Sequence, residues 1–335
     1  MKTAWTFCMA VIFSVHLYAQ RTDFACTDFR NADNVAARYS KHPLNDLKSL
    51  ADKLTRSLPS EEEKFRAIYV WVANNIEYDY ALYLKNKQKR ESLKKPEDLA
   101  AWNKGFSLRV FKNLLEKQKT VCSGYAYLVR ELATYAGLTC VIIDGYGRNA
   151  HSNIGGPGIA NHSWNAVRLH NKWYLCDATW SSGAYDTEQS KYVKKFDVSY
   201  FLADPLSFVN NHYPLDSSWM LLAYKPTLDQ FLNGPLVYSG ALLHEVHAMS
   251  PRTLNLVAAK GETISFQFAK NGDEIVKSLQ LTIEGPNTKQ TFDTRYRNDS
   301  SGGYSVDHTF HTKGTQTVHF LLNERYIFTY VVTVR

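Results

Sequence analysis

Apolar residues recur at helical spacing through the first half of the chain. Within one such stretch, Ser60 and Glu63 have the spacing of a helix capping box, and apolar side chains follow on one face. Gly137 supplies a stop at the end of another. The pattern predicts helices at 44–57, 60–76, 108–116 and 122–136.

Short apolar runs follow these helices. The sequence predicts strands at Leu138–Ile143, Asn161–Leu169 and Trp173–Trp180, with a glycine-rich loop at 145–160 and a tight turn at His170-Asn171. The loop is interpreted either as a lid or as an ordinary connection.

Helical periodicity disappears after about residue 225, and alternation takes its place. The residues from Thr263 to Phe268 show it, and further strands are predicted at Leu279–Ile283, Thr317–Leu322 and Tyr326–Val334. We therefore predict an α+β fold: helices on a small antiparallel sheet over 20–225, then an all-β, immunoglobulin-like sandwich over 226–335.

The first residues have the features of a secretory signal. Lys2 precedes an apolar stretch from Ala4 to Tyr18, and Ala19 offers a small residue before a cut. The stretch is shorter than the roughly 20 residues of a spanning helix. We expect residues 1–19 to be removed, leaving an exported, periplasmic or extracellular protein without a membrane span. A buried first helix or a membrane anchor is the alternative.

The amino-acid composition narrows the class of protein. The 335 residues include 39 Lys and Arg against 32 Asp and Glu, a net charge of +7, and 44% hydrophobic residues. This is a globular composition, and five cysteines are too few for a disulfide scaffold. If Cys122 stays a thiol, one bridge among Cys26, Cys140 and Cys176 is possible, and the sequence does not select the pair.

Basic residues concentrate at 85–95, where six Lys and Arg occur. The run is interpreted as a solvated surface or as a contact with an acidic partner, such as a cell-wall polymer, a surface protein or a membrane surface. No aromatic residues are interleaved at stacking spacing, so we expect no nucleic acid partner.

Three residues concentrate the reactive chemistry. Cys122 stands where a loop becomes a helix, and the positive end of a helix dipole favours a thiolate. If His170 and Asn171 form a two-residue turn, residues whose numbers sum to 341 lie opposite each other. His162 and Asp177 then become diagonal neighbours on one face.

The three residue types suit nucleophilic catalysis. Cys122 would attack a carbonyl carbon, His162 would hold the ion pair and protonate the leaving amine, and Asp177 would fix the imidazole tautomer. The backbone N–H of Cys122 is a candidate oxyanion donor. Gln118 is the side-chain candidate for that role, with a surface position as the alternative.

The segments RAIYVWVANNIEYDY, TVCSGYAYLVRELATYAGL, NHSWNAVRL and KWYLCDATW resemble the transglutaminase-like superfamily, above all its kyphoscoliosis peptidase and cytokinesis-protein branch. Residues 200–222 resemble the segment that follows the core in that branch. The resemblance implies a papain-like core with the triad Cys122, His162 and Asp177. It implies that Trp164 and Trp180 wall the site and bind substrate, or pack in the core. No calcium loop is recognisable, so no calcium requirement carries over.

The sequence thus predicts a thiol enzyme that acts on peptide or protein amides through a thioester and needs no cofactor or metal. Water as acceptor would make it a peptidase or amidase, and an amine would make it a transglutaminase. A zinc site at His244-Glu245-Val246-His247 has the wrong spacing. The alternative is a non-catalytic scaffold that binds a protein or wall partner through its surface or its sandwich.

Overall fold

The computed structural model describes residues 22–335 except residues 94, 187, 188, 190, 272–274, 287, 295 and 299–302. The predicted signal segment, residues 1–19, lies outside the described residues. No helix in the described part of the chain combines the length and apolar character that crossing a membrane requires.

Ten α-helices are described, most of them in the N-terminal half. Their bounds are α1 Arg30–Arg38, α2 Leu47–Thr55, α3 Glu61–Asn75, α4 Tyr80–Ser92, α5 Pro96–Lys117, α6 Cys122–Tyr135, α7 Ala178–Ser182, α8 Pro205–Phe208, α9 Leu228–Asn233 and α10 Ser239–Leu243. Short 3₁₀ turns lie at Thr22–Phe24, Val198–Tyr200 and Ser217–Met220.

Eighteen strands are described. Their bounds are β1 Glu77–Tyr78, β2 Lys119–Thr120, β3 Thr139–Gly147, β4 His162–Leu169, β5 Lys172–Cys176, β6 Gly183–Asp186, β7 Lys191–Lys194, β8 His212–Pro214, β9 Leu236–Val237, β10 Val246–Ser250, β11 Asn255–Ala258, β12 Thr263–Lys270, β13 Leu279–Gly285, β14 Thr288–Asp293, β15 Arg297–Asn298, β16 Gly303–Thr309, β17 Gly314–Leu322 and β18 Arg325–Val334.

Helices α3 and α6 form the centre of the N-terminal part. The Ser60 side chain caps α3 by accepting from the N–H of Glu63 at 3.3 Å. Phe65 and Trp71 of α3 and Tyr125 of α6 are fully buried in one hydrophobic cluster. Gly137 has φ 77° just after α6, a left-handed conformation that ends a helix at little cost for glycine.

A four-stranded antiparallel sheet, in the order β5-β4-β3-β8, positions the reactive residues. Asn165 pairs with Cys176 and Leu169 with Lys172, so opposite residues sum to 341 as predicted. The register follows from the turn, where His170 and Asn171 have φ 47° and 65°.

Two predicted elements have different extents. The strand predicted to end at Trp180 ends at Cys176, because the Asp177 side chain accepts from the N–H groups of Thr179 and Trp180 and starts α7. The short helix predicted at 108–116 is the second half of α5, whose first turn carries Pro96 and acidic residues at positions that favour a helix start.

From β10 onward the described chain is all-β, and the predicted class is confirmed. The predicted region 226–335 begins, however, with the two short helices α9 and α10. One sheet has the order β10-β12-β16-β15, and the other β11-β18-β17-β13-β14 with β9 also on β18. Phe266 from the first sheet packs on Phe320 and Tyr330 from the second, with ring centroids 5.0 Å apart in both pairs. The buried cluster between the sheets continues to Trp164 and Leu175 of the N-terminal sheet.

Candidate active site

Cys122 is the first residue of α6 and is half-buried. The residue before it, Val121, provides no side-chain cap. Gly124 allows the first turn to approach β2, since a Cβ there would lie 2.0 Å from Thr120 Oγ1. The sequence Val-Cys-Ser-Gly thus places the thiol at the start of a helix. The first N–H groups of that helix are not capped by the side chain of Val121.

His162 and Asp177 come together as the hairpin predicts. His162 begins β4, Asp177 follows β5, and His162 Nε2 lies 2.7 Å from Asp177 Oδ2. An ionised carboxylate only accepts hydrogen bonds, so Nε2 carries the proton and donates it. The other ring nitrogen, Nδ1, is then the one available to the Cys122 thiol, whose proximity helps to raise the pKa of His162. Cys122 Sγ itself lies 4.0 Å from the carbonyl oxygen of Asn161.

The two charges stabilise each other in a buried environment. Burial lowers the pKa of His162, but the charge and hydrogen bond of Asp177 and the contact with Cys122 together raise it above its usual range. Burial raises the pKa of Asp177, but the charge of His162 and hydrogen bonds from His162 and His212 hold it well below its usual range. The arrangement favours an imidazolium–carboxylate pair beside the thiol.

The Asp177 carboxylate has four hydrogen-bond donors. Oδ1 accepts from the backbone N–H of Thr179 at 2.8 Å and of Trp180 at 3.3 Å. Oδ2 accepts from His162 and, at 3.0 Å, from His212 Nε2. No pattern in the sequence marks His212 as a site residue. It lies on β8 opposite Gly147, and only the pairing of β8 with β3 brings it here.

The two predicted tryptophans occupy different positions. Trp180 is partly exposed and tilts over His162, with ring centroids 5.2 Å apart. Trp164 is 1% exposed and packs behind the imidazole at 6.0 Å, in the core cluster. Trp180 is therefore placed where it can contact a substrate, whereas Trp164 supports the histidine from within.

Two tyrosines lie beside the thiol and were not predicted. Burial raises the pKa of both Tyr78 and Tyr83, and the nearby charge of Cys122 is the next cause in each case. Tyr83 belongs to α4, whose exposed face carries part of the basic run. Tyr78 of β1 and Tyr83 of α4 are therefore close enough to Cys122 for its charge to affect their pKa values.

The loop 148–161 is held by hydrogen bonds. Buried Arg148 donates to the carbonyl oxygens of Asn153, Gly234 and Pro235 at 3.1, 2.5 and 2.7 Å. Asn153 Nδ2 donates to Gly147 O at 2.9 Å. These contacts hold the first part of the loop, and at its end Asn161 N–H donates to Gly145 O at 2.9 Å, as in an ordered connection.

Other candidates are engaged elsewhere. Gln118 Nε2 donates to His42 O at 2.6 Å, which gives no support to an oxyanion role. His247 contacts Ser207 and Asn271 rather than His244. The cysteines that the structure describes, Cys26, Cys122, Cys140 and Cys176, are all free thiols.

His162, Asp177 and His212 are the one set in the described ranges that brings three potential metal ligands together, within 4.8 Å. Tetrahedral zinc with bonds of about 2.0 Å separates its ligand atoms by about 3.3 Å. The separations of 2.7 and 3.0 Å are shorter and match N–H···O hydrogen bonds. The set therefore fits a hydrogen-bonded triad better than a metal centre.

The sequence pattern of the transglutaminase-like superfamily matches residues 48–178, which contain Cys122, His162 and Asp177. Through this segment the chain belongs to the transglutaminase-like superfamily.

Curated relatives extend the likeness beyond that segment. Kyphoscoliosis peptidase of Mus musculus is 34% identical over 251 residues, which are 71% of this chain and 35% of that protein. Hillarin of Drosophila melanogaster is 27% identical over 242 residues, 66% of this chain and 26% of that protein. The chain thus spans about a third or less of the length of these relatives.

Among solved structures, the Lin-41 filamin domain is similar to 30% of this chain and 97% of its own, with 13% identity and a TM-score of 0.23. At that score the likeness does not bear on the fold, for which the strand pairing of the sandwich is the evidence.

Proposed function

We propose that this protein is a thiol enzyme that cleaves or transfers peptide or protein amides through a Cys122 thioester. The observation that carries the proposal is the hydrogen bond of 2.7 Å between His162 and Asp177, with the Cys122 thiol at the start of α6 close enough to raise the pKa of His162. Membership of the superfamily supports the same chemistry.

In the first half-reaction, Cys122 Sγ as thiolate attacks the amide carbonyl carbon, and a tetrahedral oxyanion forms. The N–H groups at the start of α6 are placed to stabilise this oxyanion. The C–N bond then breaks, and the His162 imidazolium gives its proton to the leaving amine. The thioester and a neutral imidazole remain, with Asp177 holding the imidazole in one orientation.

In the second half-reaction, neutral His162 takes a proton from the acceptor as it attacks the thioester, and Cys122 leaves as thiolate. Water gives a carboxylic acid, and an amine gives a new amide. The relatives named as peptidases support water as the acceptor. Trp180 packs over His162, and Tyr78 and Tyr83 lie within electrostatic reach of Cys122, so the aromatic surroundings are suited to the side chain of a polypeptide.

Export is the second part of the proposal and rests on residues 1–19 alone. The expected mature chain begins at Gln20. N-terminal sequencing of the protein recovered outside the cytoplasm tests this, and recovery of an intact Met1 N-terminus in the cytoplasm would contradict it.

The thiol chemistry is tested first by the rate of iodoacetamide labelling against pH, read by peptide mass spectrometry. Exposed Cys26 is an internal reference in the same sample. Cys122 is expected to label at pH 6 at least 10-fold faster than Cys26, and His162→Ala is expected to remove the difference. Equal profiles for the two thiols would contradict the proposal and favour the scaffold alternative.

The acceptor is tested with methylated casein as the amide donor. Release of peptides, or release of ammonia without uptake of an added amine, indicates hydrolysis. Incorporation of a fluorescent primary amine indicates transfer, which releases ammonia as well. Cys122→Ala is the blank, and both products are expected to vanish in it. Activity that persists in this variant would exclude Cys122 as the nucleophile.

A further inference from the structure

His212 is a second histidine on the Asp177 carboxylate, and the triad does not account for it. Its side chain is fully buried, and its Nε2 lies 3.0 Å from Asp177 Oδ2, the oxygen that His162 also contacts. The two imidazole rings lie 5.3 Å apart at their centroids and tilt by 49°. Both donors therefore meet one oxygen from different directions.

The protonation of His212 follows from its partners. Nε2 faces an acceptor and carries a proton, while Nδ1 lies 2.6 Å from Oδ1 of Asn211. Burial lowers the pKa of His212 well below its usual range, despite the hydrogen bond to Asp177. A neutral ring with its proton on Nε2 needs a donor at Nδ1. Exchanging the amide oxygen and nitrogen of Asn211 supplies that donor, and it gives a partner to the buried Nδ2, which otherwise has none.

The surroundings of His212 are otherwise aromatic. Phe208 stacks on the ring at 4.0 Å, and the rings of Trp180, Trp164 and Tyr200 lie at 4.4, 5.1 and 5.8 Å. A phenylalanine would suit this cage better than a histidine if packing were the only requirement, because a buried polar ring needs partners. The hydrogen bond to Asp177 is the feature that requires histidine.

We propose that His212 is a positioning residue for the reaction: its Nε2–H holds the Asp177 carboxylate in the orientation in which Oδ2 meets His162. Without it, Oδ2 keeps one donor, and the carboxylate can rotate away from the imidazole. The His162 ring then loses the fixed alignment between Asp177 and Cys122 that proton transfer needs. This inference rests on the proposed thiol chemistry, but the hydrogen bond can be tested separately.

The experiment compares His212→Phe, which keeps the ring and removes the donor, with His212→Gln, whose amide NH₂ can replace Nε2–H. His247→Phe is the matched control, because it removes another buried histidine whose hydrogen-bond partners are Ser207 and Asn271 and not Asp177. Each full-length variant is measured for Cys122 labelling by iodoacetamide from pH 5 to 9 and for casein turnover. Thermal unfolding shows which variants are folded.

We expect His212→Phe to lower the labelling rate at pH 6 and kcat by about 10- to 100-fold with little change in KM. His212→Gln is expected to recover most of the loss, and His247→Phe to match the wild type. A profile within twofold of the wild type in His212→Phe would overturn the inference. Equal losses in the Phe and Gln variants would overturn it too, since packing would then be the cause.

Two further outcomes are decided separately. Native mass spectra could show one zinc ion bound to the wild type and none bound to His212→Phe. His212 would then be a metal ligand instead of a hydrogen-bond donor, and the inference would be overturned. If wild-type Cys122 labels like Cys26, the proposed function fails. Solvent exchange of the His162 Nε2–H proton, measured by NMR, then decides: at least tenfold faster exchange in His212→Phe alone supports the positioning role, and unchanged exchange refutes it.

Discussion

Replacing Asp177 with asparagine removes the charge and one acceptor from the carboxylate while keeping its shape. If the asparagine Oδ1 keeps the N–H groups of Thr179 and Trp180, its Nδ2 faces His162 and His212, which both donate in the wild type. His162 can only adapt by moving its proton from Nε2 to Nδ1. That nitrogen faces Cys122, so the base is lost.

The magnitude follows from these contacts. An imidazole held in the wrong tautomer lowers turnover by about 10³- to 10⁴-fold, equivalent to about 4–5.5 kcal/mol in the activation free energy. The opposite amide orientation gives no relief, because Nδ2 would then face the N–H groups of Thr179 and Trp180. Loss of buried hydrogen bonds should also lower the free energy of unfolding by about 1–3 kcal/mol.

The assay is casein turnover together with iodoacetamide labelling of Cys122 at pH 6. Asp144→Asn is the matched control. Asp144 is exposed, and its carboxylate accepts a hydrogen bond at 2.6 Å from the hydroxyl of Ser163, the residue after His162. Asp177→Asn should lose both signals, and Asp144→Asn should lose neither. Turnover within tenfold of the wild type in a folded Asp177→Asn protein would refute the tautomer argument.

Three further changes test other parts of the structure. Gly147→Ala places a Cβ 2.9 Å from His162 Cβ and should lower turnover at least tenfold. Gly105→Ala, whose Cβ would have no atom within 4 Å, should keep turnover and raise the free energy of unfolding by about 0.5–1 kcal/mol. Equal turnover in the two variants would contradict this. Burial lowers the pKa of His247 to about 4, so the stability that neutral His247 contributes is complete above pH 6.5 and falls by about 3 kcal/mol as the pH drops to 4. In urea unfolding, the free energy of unfolding of His247→Gln should therefore decline less steeply with falling pH, and an unchanged pH dependence would exclude the effect. Arg148→Met should lower the free energy of unfolding by about 2–4 kcal/mol and speed amide exchange in residues 149–161, and exchange at the wild-type rate would show that Arg148 does not hold the loop.

Local signals predict the part of the site that one hairpin contains. A two-residue turn fixes the register of the strands on both sides, and His170 and Asn171 have the positive φ values that such a turn needs. From that register alone, His162 and Asp177 fall on one face. The helix starts at Ser60 and Cys122 are likewise short-range features.

Contacts between segments that are distant in sequence cannot be predicted from such short-range patterns. His212 lies on a strand of three residues, too short for alternation to be recognised, and reaches Asp177 only after β8 pairs with the far end of β3. Tyr83 lies on α4, whose apolar residues stand together at its start instead of recurring at helical spacing, so the pattern does not mark which face is inward. The end of the strand at Cys176 depends on a side chain turning back to cap a helix, which outweighs the β propensity of Thr179 and Trp180.

The hydrogen bonds on Asp177 come from three separate parts of the fold: the first turn of α7, the start of β4, and β8. A buried carboxylate stays ionised only when its donors are in place, so the reactive arrangement requires all three to dock together. The superfamily match ends at residue 178, yet His212 and its cage residues Tyr200 and Phe208 lie beyond it. A fragment that ends at residue 178 would contain all three proposed triad residues and lack the second donor to Oδ2. The unit that the proposed chemistry requires is therefore longer than the segment by which the family is recognised.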